Sequence, residues 1–192
     1  MDVEPMGDEF VVAMCHEIED PTFDATALAT NRFAQVRPIH RPPRRPADRT
    51  PHCAWTVTID AQHIPPPEPP NIEVVRASAA ARTELAPIDR SDDGHPDYAG
   101  PLLSDIRFGD FSRSALVRIA DEVCLQQHLL TLGFLLAVRA RTDEEAARDI
   151  VRKQFAGIAG LTAERIRKAL GLGTDAAALA TVLDLHPALN PR

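Results

Sequence analysis

The stretch "RSALVRIADEVCLQQHLLTLGFLLAVRA", Arg113 to Ala140, decides the fold of this 192-residue chain. Ser112 lies directly before it and is a plausible N-cap, and apolar positions then recur every three or four residues, which is the period of an amphipathic helix. We therefore predict one long helix over this stretch. The residues on its repeating face are Leu116, Ile119, Ala120, Val123, Gln127, Leu130, Phe134 and Ala137.

A second long helix is predicted to follow after a tight turn near Arg141. The sequence "TDEE", Thr142 to Glu145, matches a capping box, in which the Thr142 hydroxyl and the Glu145 carboxylate satisfy free amides at a helix start. The two helices are thus expected to form a helical hairpin.

Glycines interrupt the second helix and then close it. Gly157 and Gly160 would each weaken an isolated helix by about 1 kcal/mol, and a close crossing by another helix is the best explanation for them. Gly171 is a good C-cap. Thr174 is then predicted to cap a short third helix that runs to about Leu183.

The first helix is apolar nearly all the way round between Leu129 and Val138, so it must be buried on several sides. Self-association of paired hairpins is the favoured source of this cover; the alternative is that N-terminal strands fold back over the helix within one chain. On the first interpretation, Phe134→Asp should break the oligomer. The predicted oligomer core consists of Leu129, Leu132, Phe134, Leu135, Leu136, Phe155 and Ile158.

The N-terminal half has a different composition. Thirteen of the seventeen prolines lie between Pro38 and Pro101, and the stretch from Leu102 to His186 has none. We therefore place a domain boundary near residue 102, with an arm over 1–101 and a helical domain over 102–192.

Three apolar segments of the arm are candidates for regular structure. In "AWTVTID", Ala54 to Asp60, apolar and polar residues alternate as in a strand buried on one face. "NIEVV", Asn71 to Val75, is a second short strand candidate, and "FVVAMCHEI", Phe10 to Ile18, suits either a strand or helical turns. Between the strand candidates, the prolines from Pro65 to Pro70 favour polyproline II geometry.

The arm is too apolar to stay solvated, and proline stiffening lowers the entropy that it would lose on docking to another subunit. We therefore expect it to bind a larger protein in extended form. A flexible linker, a poorly folded small domain, and an SH3-like partner for "RPIHRPPRRP", Arg37 to Pro46, are the alternatives. The predicted partner-binding residues are Trp55, Val57, Ile59, Ile64 and Val74. The expected fold is mainly α, with an extended Pro-rich arm containing short strands ahead of an oligomerising helical hairpin.

Charge is unevenly distributed along the arm. The first twenty-four residues carry eight acidic side chains and no Lys or Arg, whereas five arginines crowd between Arg37 and Arg49. The acidic head and basic arm suggest surfaces matched to two regions of a partner, or to each other. The net charge of −7 argues against nucleic-acid binding, so a regulator that contacts nucleic acid through these arginines ranks last.

Three scattered cysteines make a disulfide scaffold improbable and favour a reducing cytoplasm. No secretory signal is visible, and the most apolar run, "LLTLGFLLAV" from Leu129 to Val138, covers about half of the roughly 20 residues that a bilayer span needs. Contact of an oligomer's apolar end with a membrane, or with an apolar small molecule, is left open.

No catalytic signature, cofactor motif or metal motif stands out. Cys15-His16 and His52-Cys53 offer zinc-type ligands without a finger or ribbon spacing. Cys124, Gln127 and His128 lie within one turn of a largely apolar helix, where a buried general base could be built, although a hydrogen-bonded core histidine is the favoured interpretation. His63, His95 and His186 lie beside prolines or turns and are expected on the surface.

Two C-terminal segments resemble a loose family of uncharacterised bacterial helical proteins: "DYAGPLLSDIRFGDFSRSALVRIADEVCLQQHLL", Asp97 to Leu130, and "GLTAERIRKALGLG", Gly160 to Gly173. The shared pattern is a "DFS" lead-in, a long helix, and a Glu-Arg-bearing helix closed by glycine. The organisation of the chain is also similar to that of scaffold subunits that gather catalytic protomers in actinobacterial oxidoreductase assemblies, including hydrogenases.

We therefore expect a non-catalytic scaffold subunit that docks a larger partner, such as an oxidoreductase, through its arm and oligomerises through its C-terminal helices. The alternative is a small helical enzyme or ligand-binding protein with a pocket near Cys124 and His128.

Overall fold

The computed structural model describes residues 3–62, 64, 65, 67–98 and 106–191. The predicted domain boundary near residue 102 lies outside the described residues, and so does His63. The fold is mainly helical with one small antiparallel sheet, as the sequence predicts at that level. Among the described residues, no helix is long and apolar enough to cross a membrane.

The chain divides into two compact units. Unit 1 contains Met1–Arg82 and Leu129–Ile158, and unit 2 contains Thr83–His128 and Ala159–Arg192. Each unit therefore combines two separate stretches of sequence.

Unit 1 begins with a helical run whose bounds are α1 (Asp8–Val12), a π-helical segment (Ala13–Ile18) and α2 (Glu19–Thr30). Of the two structures that Phe10 to Ile18 suited, the helix is the one observed. Threonine hydroxyls of α2 donate to carbonyls one turn earlier, from Thr22 to Ile18 at 2.7 Å and from Thr26 to Thr22 at 2.9 Å. Because these hydroxyls are satisfied locally, both threonines can be buried.

The sheet of unit 1 pairs β1 (Ala34–His40) antiparallel with β2 (Ala54–Ile59). The strand predicted over Ala54 to Asp60 is confirmed, and Val57 lies opposite Val36 in the register. The register shifts between Pro38 and His40, directly after a residue that lacks an N–H.

The strand predicted over Asn71 to Val75 is wrong, because this segment forms the helix α3 (Ile72–Arg76), followed by α4 (Ala79–Arg82). Ile72 and Val75 are both buried, whereas Val74 between them is exposed. Side chains three positions apart share a helix face, so the segment follows the helical period and not the strand period of two.

The apolar part of the long helix α5 (Arg113–Arg139) is covered within unit 1 by the N-terminal half of the chain. Leu129 packs with Ala25 of α2 and Val75 of α3, and Phe134 packs with Ile18 and Ala147. The single-chain alternative anticipated N-terminal cover, but helices supply it and not the strands. Leu129 and Phe134 thus belong to two apolar clusters of unit 1. The partly buried residues packed against these clusters are Met14, Ala29, Ala80, Ala81, Leu132, Leu136 and Val151.

Close helix packing occurs at Gly133 of α5. A Cβ atom added at this glycine would lie 3.1 Å from the carbonyl oxygen of Thr22 on α2. The close crossing predicted at Gly157 and Gly160 is absent from the described part of the chain, where a Cβ at either position would meet nothing within 4 Å.

In unit 2, residues 92–95 lie against the start of α5. Ser112 is fully buried and its hydroxyl accepts from the Ala115 amide at 3.2 Å, which confirms the predicted N-cap. The Asp92 carboxylate accepts from the Ser114 amide at 2.9 Å. Gly94 has a φ of 103°, and a Cβ there would lie 2.7 Å from the Ser112 nitrogen, so this close approach requires glycine.

The turn near Arg141 is confirmed, because α5 ends at Arg139 and α6 (Glu144–Ala169) begins shortly after it. The predicted capping box is wrong. Asp143 caps α6 by accepting from the Ala146 amide at 2.8 Å, and the Thr142 hydroxyl donates back to the Val138 carbonyl. Asp is as good an N-cap as Thr, so sequence spacing alone could not decide between the two neighbours.

The N-cap predicted for α7 (Ala176–Leu185) is also wrong by one residue. Its N-cap is Asp175, which accepts from the Ala178 amide at 2.9 Å, and not Thr174 as predicted. Gly171 adopts a φ of 61° at the end of α6, which confirms it as the C-cap.

Candidate functional site

The β1–β2 hairpin is attached to α2 at one end. The Trp55 ring meets Phe23 edge to face with 4.7 Å between ring centroids, and the Arg41 guanidinium lies 5.5 Å from the Trp55 ring centroid. Such aromatic and cation–π contacts stabilise by roughly 0.5–1.5 kcal/mol each beyond burial. Trp55 is thus half-buried by its own chain.

The other end of β2 is uncovered. Val57 is 67% exposed and Ile59 is 61% exposed, although both lie on the same face of the strand as Trp55. Ile64, just beyond the strand, is almost fully exposed. Exposed apolar side chains grouped on one element are typical of a surface that another molecule covers.

The acidic head and the basic arm pair with each other. Glu4 accepts from Arg44 Nε at 2.9 Å and from Arg44 Nη2 at 2.6 Å, as well as from the Arg44 amide. Arg41 makes a two-pronged ion pair with Asp20. A third pair joins Arg37 to Asp24 at 3.0 Å. Of the two pairings that the sequence allowed, the internal one is present.

The π-helical segment and the start of α2 bring a thiol, an imidazole and a carboxylate to the same region as Arg41. Burial raises the pKa of the Glu19 carboxyl to about 7; Arg41 opposes this effect and Asp20 adds to it. Burial also raises the pKa of the Cys15 thiol, with smaller contributions from Glu19 and Cys53. Neutral forms of both acids are therefore favoured around this segment.

Glu19→Gln should stabilise the protein most strongly at neutral pH and above. The pKa of the Glu19 carboxyl is about 7 in the folded chain and near 4.5 in the unfolded chain. Between these two pH values the folded carboxyl keeps a proton that the unfolded carboxyl has lost. The contribution of Glu19 to stability therefore falls as the pH rises from 4.5 to 7. We expect the gain from Glu19→Gln to grow across this window and to level off above pH 7. Urea unfolding at several pH values measures it.

Glu17→Gln is the matched control for that variant, since Glu17 is an exposed residue two positions before Glu19. It should not reproduce the gain in stability that is expected for Glu19→Gln. A pH profile of Glu19→Gln parallel to that of the unaltered protein would contradict the raised pKa.

The zinc-type residues are not assembled into a ligand set. His16 donates from Nε2 to the Pro42 carbonyl at 2.8 Å, which occupies that nitrogen. Within residues 3–62, 64, 65, 67–98 and 106–191, no group of three or more His, Cys, Asp or Glu side chains is placed to hold a metal ion.

Unit 2 contains an apolar groove of about 410 Å³ between α6 and α7. Glu164 lies in its wall and accepts from Arg167 Nε at 2.8 Å and Nη2 at 2.9 Å, and this pairing holds the pKa of the Glu164 carboxyl at about 2. The groove is lined by Gly160, Ala163, Glu164, Arg167, Gly173, Thr174, Asp175, Ala176, Ala178, Leu179 and Val182.

Exposed apolar side chains also lie elsewhere on α6 and α7. Leu179, in the groove wall, is more than half exposed, and so are Leu161 and Leu170 on α6. Leu183 and Leu185 are further exposed residues of α7. Leu179 and Leu183 lie one turn apart on the same face of α7, beside the groove that Leu179 lines, and we call these two residues the C-terminal apolar surface.

His128 and Cys124 do not line the groove. His128 Nε2 donates to the Asn190 carbonyl at 2.8 Å, and burial raises the pKa of the Cys124 thiol. His128 is thus a hydrogen-bonded structural residue.

The expectation that His186 lies on the surface is wrong, because this residue is buried. Its Nδ1 accepts from the Ala188 amide, and its Nε2 donates to the Ala159 carbonyl.

The predicted site residues fall into two sets. Four of the five predicted partner-binding residues are largely exposed, and the exception is Trp55, which is half-buried. The four exposed residues are Val57, Ile59, Ile64 and Val74.

Within the predicted oligomer core, Leu129 and Phe134 are buried in unit 1, whereas Leu132, Leu135 and Leu136 are half-buried. Phe155 and Ile158 on α6 are exposed. The oligomer core itself stays a prediction.

Two elements of these surfaces escaped sequence reasoning. β1 was missed because Pro38 lies within it and because it falls in the proline-rich region. The groove was missed because Glu164 and Arg167 match ordinary ion-paired helix positions, and only their position beside α7 distinguishes them.

Comparisons of the chain with protein-family models, with curated proteins and with solved structures found no match.

Proposed function

We propose that this protein is a non-catalytic scaffold subunit that docks a larger protein through its N-terminal half and associates with further copies through its C-terminal helices. The observation that carries the proposal is that the exposed apolar side chains of the folded chain include two candidate contact surfaces. One is β2 and its surroundings, with Val57, Ile59, Ile64 and Val74, and the other is the C-terminal apolar surface. Two such surfaces suit a molecule with two kinds of contact.

Self-association is supported by the glycines of α6. Gly157 and Gly160 cost the helix about 1 kcal/mol each, and no described neighbour within the chain occupies the space beside them. A helix of another copy that approached this backbone closely would account for both residues. Gly160 also lines the groove, so the same approach would cover the groove wall.

Docking of a protein partner is favoured over nucleic acid by the charge pairing within unit 1. Arg37, Arg41 and Arg44 are already bound to carboxylates of the acidic head, so they are poorly available to phosphates. The similarity in organisation suggests a catalytic subunit, such as an oxidoreductase, as the larger partner. We place the complex in the cytoplasm, where three free thiols persist.

The test is native mass spectrometry of the tagged full-length chain isolated from its source cells after mild crosslinking. We expect complexes that contain several copies of the chain and a fixed ratio of one larger protein. Ile64→Asp should remove the larger protein but keep the copies together, and Leu179→Asp should reduce the number of copies while keeping the larger protein. Both residues are exposed, so neither change should disturb the fold.

Val117→Asp is the matched control, since Val117 is an exposed residue of α5 that belongs to neither surface. It should leave composition and copy number unchanged. A chain that is recovered alone and monomeric would refute the scaffold proposal.

A further inference from the structure

Among the described residues, none pairs with the outer edge of β2. On one side it pairs with β1, and among the described residues its backbone makes no hydrogen bond other than those to that strand. In an antiparallel ladder, alternate residues point their N–H and C=O groups away from the neighbouring strand. The outer edge of β2 therefore presents a row of unpaired donors and acceptors, which is a template for a further strand.

The two edges of the sheet differ in chemistry. β1 contains Pro38, which lacks an N–H, and its register is broken beside this residue. It also carries the charged Arg37. In contrast, β2 reads "AWTVTI", with no proline, glycine or charge, and consists almost wholly of residues that favour strands. Natural edge strands are normally protected by features of the kind that β1 has and β2 lacks.

The sequence of β2 is complementary to itself in antiparallel orientation. With Val57 opposite Val57 of a second copy, Trp55 lies opposite Ile59 and Thr56 lies opposite Thr58. Directly opposite residues project to the same face, so apolar side chains meet apolar side chains and threonine meets threonine, which are favourable cross-strand pairs. A register shifted by one residue would place apolar residues opposite threonines.

The lack of charged residues in β2 is compatible with the pairing of β2 with β2 of a second copy. Each chain carries a net charge of −7, so two copies repel unless their contact is neutral, and β2 has no charged residue. Asp60, directly after the strand, would lie opposite Ala54 of the second copy, which keeps the two Asp60 carboxylates at opposite ends of the paired strands.

We propose that β2 pairs antiparallel with β2 of a second copy about a two-fold axis at Val57, forming a four-stranded sheet in the order β1–β2–β2–β1. The pairing goes beyond the proposed function, because it joins two copies through their N-terminal halves. It also places the exposed Val57 and Ile59 of both copies on one continuous face of the sheet.

Site-directed disulfide crosslinking tests the register directly. In the full-length chain with Cys53→Ser, Val57→Cys places two thiols opposite each other on the axis, and oxidised glutathione should convert the chain into a disulfide-linked dimer. Thr58→Cys is the matched control, because Thr58 faces Thr56 of the other copy. It should crosslink at least about tenfold more slowly by itself, yet rapidly when mixed with Thr56→Cys.

Hydrogen exchange supplies a second readout without new thiols. The amides of residues 54–59 should exchange more slowly as protein concentration rises. Val57→Lys should abolish this dependence by placing two ammonium groups opposite each other, whereas Val57→Thr should keep it. Ile39→Lys should also keep it, since Ile39 is 60% exposed but lies on β1.

Equal crosslinking of Val57→Cys and Thr58→Cys, or exchange at 54–59 that is independent of concentration, would overturn the pairing. Oligomers that persist through the C-terminal helices without crosslinking at residue 57 would overturn the pairing while the proposed function stands. Crosslinking at residue 57 in a chain that captures no larger protein would support the pairing and count against the docking part of the proposed function.

Discussion

Phe134→Asp should destabilise unit 1 by about 4 kcal/mol or more. Phe134 is buried against Ile18, Val138 and Ala147, and loss of a buried Phe side chain alone costs about 3–5 kcal/mol. The buried carboxyl of the new aspartate adds a desolvation penalty. Because whole domains are stable by only about 5–15 kcal/mol, this loss is a large part of the total, and the variant should unfold at a much lower urea concentration. Urea unfolding followed by circular dichroism measures the loss.

Phe155→Asp is the control for this prediction, because Phe155 is an exposed residue of α6. It should change the free energy of unfolding by less than about 1 kcal/mol. Equal midpoints of unfolding for the two variants would contradict the packing of Phe134. The test of oligomerisation that the sequence suggested at Phe134 is therefore better made at Leu179, since loss of the oligomer in Phe134→Asp would follow from loss of the fold.

Arg44→Met should cost about 2–4 kcal/mol of stability in unit 1. The side chains of Arg44 and Glu4 are only 9% and 20% exposed, so removal of the guanidinium takes a close positive charge away from a partly buried carboxylate. Two side-chain hydrogen bonds to Glu4 and one to the Arg49 carbonyl are lost as well. Urea unfolding at low and high salt measures the cost, which should depend little on salt because the pair is shielded from solvent.

Arg37→Met is the matched control, because its ion pair with Asp24 is more exposed, at 49% and 31%. It should cost less than about 1 kcal/mol, and high salt should reduce that cost. Replacing both partners in Glu4→Gln/Arg44→Met should recover part of the loss in Arg44→Met, since the partly buried negative charge is removed together with the guanidinium. Equal losses for Arg37→Met and Arg44→Met would contradict the assignment of a buried pair.

The long helices could be predicted because their apolar period is sustained over many residues. The bounds of α5 agree closely with the range expected from Arg113 to Ala140. Short segments were predicted less well. The residues from Ile72 to Val75 fit a strand or a helix equally, and only contacts with Ala25 and Leu129, far away in sequence, favour the helix.

The position of the helix crossing depends on residues far apart in the sequence, so the local pattern of residues could not predict it. A close helix crossing was predicted at Gly157 and Gly160. The observed crossing is at Gly133, where the carbonyl group of Thr22 is the close neighbour. Glycine alone does not reveal which backbone approaches it. The N-caps at Asp143 and Asp175 each adjoin a threonine of similar capping ability, so these predictions missed by one residue.

The candidate surfaces were predicted only in part. Alternation in β2 identified Val57 and Ile59 as residues of one face, but not that their own chain leaves them uncovered. Pairing of the acidic head with the basic arm was one of two options in the sequence, and the contact of Glu4 with Arg44 depends on the path of the chain between them. Exposure is a property of the folded chain, which sequence periodicity does not supply.

The division of unit 1 between two distant stretches of sequence has a consequence during synthesis. When the ribosome has added Arg82, the first stretch is complete, but Leu129 and Phe134, which fill its two apolar clusters, have not been made. At about 5–20 residues per second, several seconds pass before Ile158 is added, and the chain must then clear the exit tunnel. Throughout this interval Ile18, Ala25 and Val75 lack their native cover. The nascent protein should therefore bind chaperones through its first eighty residues, and it should be released from them once α5 has emerged.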